Sequence, residues 1–116
     1  MLLWWYENPE KLSSDAKKFI KDKSNQIYLS SVVVWEIIIK SAAGKLRLPN
    51  KVIQKAMEDF IELPISLKHT LELRTLEPIH NDPFDRMLIA QAQATQFYLL
   101  TRDRHIEQYN IKTIKA

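Results

Sequence analysis

Four carboxylates stand where chemistry is possible: Glu36, Asp82, Asp85 and Asp103. Asp82 precedes Pro83, so it occupies a helix N-cap, with the proline at the first helical position and Asp85 at the third. As local structure, Asp82 accepts free backbone N–H groups and Asp85 favours the positive end of the helix dipole. Asp85 also shares a helix face with Leu88, Ile89 and Ala92, which aims it toward the sheet side. A carboxylate aimed that way needs a cation or a metal as partner. Glu36 is the single acid within Val32–Ile39. It either pairs with Lys40 one turn on or lies at an internal site that needs negative charge, and its apolar neighbours favour the second. Asp103 follows Phe97-Tyr98-Leu99-Leu100 and Thr101-Arg102, at the carboxyl end of a short apolar strand. Ligands bind at that end in open α/β sheets, although a turn or cap role accounts for Asp103 equally well.

Glu36, Asp85 and Asp103 are more informative together. Carboxylates that converge in a low-dielectric cleft repel one another and protonate unless a cation holds them. All-oxygen ligation suits Mg²⁺ or Mn²⁺, and the absence of cysteine removes thiolate sites and disulfides. A site of this kind supports metal-assisted phosphodiester hydrolysis, in which a bound water becomes the nucleophile and no protein nucleophile is needed.

The elements that must position these acids alternate between helix and strand. Leu12, Ala16, Phe19 and Ile20 have helical spacing, with Ser13 or Ser14 as cap, and Ile27-Tyr-Leu-Ser reads as a strand. A buried helix is expected over about 32–43, ended by Gly44. Another helix starts at Leu48-Pro49, with Val52, Ile53, Ala56, Met57, Phe60 and Ile61 along one face. Leu63-Pro-Ile is expected as a strand, Leu67 to Leu76 as a helix, and Phe97–Leu100 and Ile111–Ile114 as strands. The alternation predicts an α/β sandwich with a mainly parallel sheet.

Composition narrows the function classes. With 116 residues, 46% hydrophobic and 27% charged, the chain is the size of one globular domain. Its only glycine, Gly44, excludes Gly-rich phosphate loops and dinucleotide fingerprints. The net charge of +3 fits a nucleic-acid partner only weakly, because the basic residues are scattered. Arg86, Arg102 and Arg104 adjoin the acids and suit phosphate or an acidic partner segment, while Arg86 reads equally well as a helix-surface residue or an ion-pair partner of Asp82. His80 reads as a phosphate contact or as a simple turn residue, and the turn is favoured. The apolar Met1–Tyr6 is too short for a signal peptide or a membrane span, so no membrane association and a cytoplasmic location are expected.

The stretches LLWW, YLSSVVVWEIIIK, GKLRLP, LPISLKH, HNDPFDRMLIAQA and YLLTRD, in this order, resemble PIN-domain ribonucleases of the VapC toxin type. The resemblance covers nearly all of the chain. It implies a three-layer α/β/α sandwich and a Mg²⁺- or Mn²⁺-dependent endoribonuclease, the toxin of a toxin–antitoxin pair. It also implies a homodimer silenced by a cognate antitoxin. Glu36 matches the family's second acid, Asp85 the third and Asp103 the fourth, and Thr101 matches a polar residue beside them. The first acid of the pattern ends a central strand ahead of LLWW, and this sequence has no counterpart to it. The expectation is therefore a single PIN-like domain over residues 1–116, incomplete at its N-terminus, with the first central strand absent and ladder groups exposed on both of its neighbours. A start assigned at an internal Met accounts for this. A truncated relic that binds antitoxin or RNA without cleaving is the alternative. A response-regulator phosphoacceptor ranks far behind, since no Asp stands on an early strand.

Overall fold

Leu2 and Trp5, one helical turn apart, start a short helix whose apolar side faces a wide cleft in the middle of the molecule. The computed structural model describes residues 2–116; Met1, the first residue of the apolar opening run, lies outside them. Helix α1 (Leu2–Glu7) leads through a 3₁₀ turn at Pro9–Lys11 into α2 (Ser14–Lys21). Ser13 caps α2 by accepting the N–H of Ala16. Strand β1 (Tyr28–Ser30) passes directly into α3 (Ser31–Ala42), because the Ser30 hydroxyl takes the N–H of Val32. Gly44, at φ 73°, lies just past the end of α3 in the left-handed conformation that closes helices.

The remaining elements are α4 (Asn50–Asp59), β2 (Ile61–Leu63), α5 (Leu67–Glu72) with a 3₁₀ turn at Leu73–Thr75, α6 (Pro83–Thr95), β3 (Leu99–Thr101), α7 (Arg104–Glu107) and β4 (Thr113–Lys115). Several boundaries differ from expectation. Phe60 and Ile61 fall outside α4, because the chain turns extended at Phe60 to pair with β1, and Met57 is exposed. The second strand comes before Pro64 rather than across it, since proline has no N–H to give a ladder. Phe97 and Tyr98 precede β3 instead of forming it, and β4 starts two residues later than Ile111.

Both strand pairs are parallel, but they form two separate sheets: β1 with β2, and β3 with β4. The single mainly parallel sheet expected from the alternation is thus divided in two. The cleft between the halves measures about 510 Å³ and is lined by residues of β1, β3, α1, α2 and α6. Tyr28 at the start of β1 stacks on Phe97, ring centroids 4.6 Å apart, and joins the two halves at one end.

Side chains alternate across each strand. Leu29 packs with Leu2, Ile37 and Ala56, whereas Ser30 reaches Gln91 of α6. Leu100 packs with Leu12, Ala16 and Trp4, whereas Leu99 packs with Ile89 of α6, Ile106 and Tyr109. Helices therefore cover opposite faces of both half-sheets, with α1 and α2 on one face and α6 on the other. Ile89 is fully buried, which stabilises the fold by roughly 1.5–3 kcal/mol.

Candidate metal centre

Helix α6 is the element that sets the site. Pro83 supplies the helical φ at its first position, and the Asp82 side chain accepts the N–H groups of Phe84 and Asp85 at 2.8 and 3.0 Å. Asp82 is therefore occupied as a cap. Asp85, a turn inside, is free to project. Asp103 belongs to another element, as N-cap of α7, where its Oδ1 takes the N–H of His105 at 2.8 Å. Buried Thr101 turns its hydroxyl back to accept the Asp103 N–H at 3.1 Å and so fixes the carboxylate's backbone.

His80 joins the two acids. Its Nε2 lies 2.9 Å from Oδ2 of Asp85 and 3.0 Å from Oδ2 of Asp103. The other ring nitrogen, Nδ1, accepts the N–H of Asp82 at 3.2 Å. An accepting Nδ1 puts the ring proton on Nε2, which donates it to Asp103 Oδ2. The backbone of His80 is held as well: its N–H donates to the Tyr109 hydroxyl, which donates to the Glu77 carbonyl, and Arg86 donates to the carbonyls of Glu77 and His80. The sequence favours a turn residue at His80, and the structure places its ring between two acids. The signal available was an imidazole two residues ahead of a carboxylate cap.

The two acids are pushed in opposite directions. Burial raises the Asp85 carboxyl above its ordinary range, reinforced by the Asp82 charge, while His80 lowers it in part. Burial also raises Asp103, but the His105 N–H and His80 outweigh it, and the net shift is downward. Glu36, on α3, lies near enough for its charge to act on Asp85. Its carboxylate pairs with Lys40 at 3.0 Å, with the Glu36 side chain 20% exposed and the lysine 51%. The lysine pKa is raised first by Glu36 and also by the charges of Asp82 and Asp85, so the pair lies within the field of the same acids. Helix α3 is held against α6 by Trp35, whose ring meets Phe84 edge-on at 4.8 Å between centroids.

Among the described residues, the metal-ligating atoms that converge within 4.8 Å of one another belong to His80, Asp85 and Asp103. Glu36 is not in that group and Lys40 occupies its carboxylate. Arg86 serves the loop carbonyls rather than Asp82. Arg102 turns away from Asp103: it donates to the carbonyls of Lys11 and Ala116, with its guanidinium 4.6 Å from the Trp4 ring centroid. Arg104 is exposed in the first turn of α7.

The donor chemistry fits a hard divalent cation. Two carboxylate oxygens converge within 3.0 Å of the same ring nitrogen, and the lysine paired with Glu36 is half-exposed. The family model described as PIN domain matches residues 1–112, so the chain belongs to the PIN domain family. Neither a curated protein nor a solved structure matches it. PIN domains are α/β proteins, are generally nucleases and typically use divalent metals.

Proposed function

Starting from membership of the PIN family, we propose that this chain is a Mg²⁺- or Mn²⁺-dependent endoribonuclease, the toxin of a VapC-type toxin–antitoxin pair. The observation that carries the reading is the meeting of Asp85 and Asp103, from α6 and α7, at Nε2 of His80, which lies 2.9 and 3.0 Å from one oxygen of each. In this reading residues 1–116 form a single PIN-like domain, with the layers of a three-layer α/β/α sandwich.

Asp85 and Asp103 would hold the ion, with Glu36 as the third acid. When bound, the ion makes a water nucleophilic near neutral pH and stabilises developing charge on phosphate. The chain's own residues prepare this. Thr101 and the α7 cap orient Asp103, and α6 presents Asp85. His80 holds the two carboxylates together. Lys40 neutralises Glu36. With Arg86 and Arg102 engaged elsewhere, phosphate contact falls to Arg104 and to the exposed end of Lys40.

Exposed Trp35, Ile38 and Ile39 on α3 support an apolar contact with a second copy or with an antitoxin. Among the described residues no helix is long and apolar enough to cross a membrane; a cytoplasmic location is part of the proposal. The test is cleavage of a labelled RNA pool. Activity should require Mg²⁺ or Mn²⁺, stop in chelator, and be lost in Asp85→Asn and Asp103→Asn while the circular dichroism spectrum is kept. Parent-level cleavage by either variant would sink the site assignment.

A second reading is a non-catalytic relic that binds antitoxin or RNA. The divided sheet favours it. It predicts that a small partner co-purifies while metal-dependent cleavage is absent.

A further inference from the structure

His69 is buried on α5, and two donors face one of its ring nitrogens. The Ser66 N–H, which can only donate, meets Nδ1 at 3.2 Å. The side-chain nitrogen of Gln91 meets the same atom at 3.2 Å. That atom of Gln91 is the nitrogen because it also faces the Pro64 carbonyl, which can only accept. Nδ1 is therefore the bare nitrogen of the ring, and the proton is on Nε2. The chain of bonds continues beyond Gln91. Its Oε1 accepts the Ser30 hydroxyl, and the Ser30 oxygen accepts the Val32 N–H at the start of α3. Gln91 and Ser30 are buried as well. One imidazole lone pair thus ties α5 to α6 and, through Gln91, to the end of β1.

We propose that this chain is an acid-released latch, in which a proton on His69 Nδ1 frees α5 from α6. Imidazole is the side chain that ordinarily changes charge between about pH 5 and 8. A proton on Nδ1 turns the shared acceptor into a third donor, so three N–H groups would face one another with no oxygen among them. Turning the Gln91 amide over does not repair this. Its oxygen would then accept from Nδ1, but the Ser66 N–H, the Pro64 carbonyl and the Ser30 hydroxyl would each lose a partner. Buried polar groups left in that state are costly, and opening α5 to water supplies them all. The break falls at the amino end of α5, because Nδ1 is also half of its capping box. His69 is the one buried residue of this six-residue helix, and Leu67 and Leu71 are exposed. The latch therefore holds α5 where apolar packing does not. Among the described residues no carboxylate pairs with the ring. Lys68 on α5, Arg74 beyond it and Glu62 on β2 are exposed, and Glu72 is bonded to Gln93 of α6. Asp85 and Arg86 of α6 are engaged at His80 and at the loop carbonyls, and β1 carries no charge. Nothing in the latch depends on the acid site or on RNA cleavage.

Amide hydrogen exchange at about pH 7.5 and about pH 5.5, corrected for intrinsic rates, tests the latch. The Thr70 N–H closes the first turn of α5 onto the Ser66 carbonyl, and the Lys17 N–H does the same for α2 onto Ser13. On acidification Thr70 should lose protection about tenfold or more relative to Lys17. His69→Asn puts an amide oxygen where Nδ1 stands and takes up no proton, so its ratio should not change with pH. Glu72→Gln should keep the parent's response. An unchanged ratio in the parent would overturn the latch. So would a response that persists in His69→Asn, since His80 and His105 are intact there, or one that disappears in Glu72→Gln. The ring nitrogen shifts of the parent supply a check that needs no variant. A proton found on His69 Nδ1 near neutral pH, or taken up in acid with no loss of Thr70 protection, would sink the proposal.

Discussion

Nε2 of His80 lies 2.9 Å from Oδ2 of Asp85, and its N–H donates to Oδ2 of Asp103 at 3.0 Å. An imidazole thus occupies the space between two carboxylates, with its tautomer set by the Asp82 N–H on the opposite nitrogen. A divalent ion drawn to the same oxygens would compete with His80.

This competition gives the first prediction. In chelator, His80→Ala should lower stability by about 1.5–3 kcal/mol, the scale of a hydrogen bond to a charged group. Added Mn²⁺ should then raise the unfolding midpoint more in the variant than in the parent. Chemical denaturation with and without the ion measures both effects. An equal response in the two proteins would show that His80 does not occupy the ion's place.

Asp85 makes the metal-free protein sensitive to pH. Its folded pKa is raised, by burial first and by the Asp82 charge next. The folded state therefore holds this proton more tightly than the unfolded chain. That stability is fully present below the unfolded carboxylate pKa and is lost as pH rises through the folded value. In chelator, Asp85→Asn should accordingly be more stable than the parent near pH 7, and the difference should vanish in acid. Unfolding midpoints across pH 3–8 decide it.

Asp103 works in the opposite sense. Although burial raises its pKa, the His105 N–H and His80 bring it below the ordinary value. Its contribution is present above the unfolded pKa and is lost as pH falls through the folded one. Asp103→Ala also removes the α7 cap, so a loss of about 0.5–2 kcal/mol is expected near neutral pH, and it should shrink in acid. A loss that stays constant with pH would assign the effect to packing alone.

Arg102 and Arg104 should separate cleanly. Arg102→Ala removes a guanidinium stacked on Trp4 and bonded to two carbonyls, so it should cost stability and leave RNA affinity near the parent's. Arg104→Ala should leave stability within about 0.5 kcal/mol. It should weaken RNA binding and reduce the salt slope by about one phosphate contact. Thermal melts and filter binding at several salt concentrations check the pair.

Gln91 ties α6 to the end of β1 and to α5. Only 2% exposed, it accepts from Ser30, and its amide nitrogen approaches His69 Nδ1 at 3.2 Å and the Pro64 carbonyl. Gln91→Ala leaves buried Ser30 and His69 short of a partner, at about 1–3 kcal/mol for each group stranded. Urea denaturation should show the loss, and Gln91→Glu should not restore it, because a carboxylate has no N–H for His69 or Pro64.

The sequence by itself determined what neighbours along the chain decide. Asp82 before Pro83 caps α6, Ser13 caps α2, and Gly44 closes α3, because these bonds join atoms two to four residues apart. It also marked Glu36, Asp85 and Asp103 as acids out of place beside apolar runs. Tertiary structure alone decided which of them meet. His80 reaches Asp103 across 23 residues, and Arg102 reaches Lys11 across 91. Residue types are blind to such distances, so Arg102 read as a site residue and His80 as a turn. The division of the sheet is of the same kind. Each strand's composition states that it will pair, but the partner on each edge is set only when helices of opposite faces close over the strands.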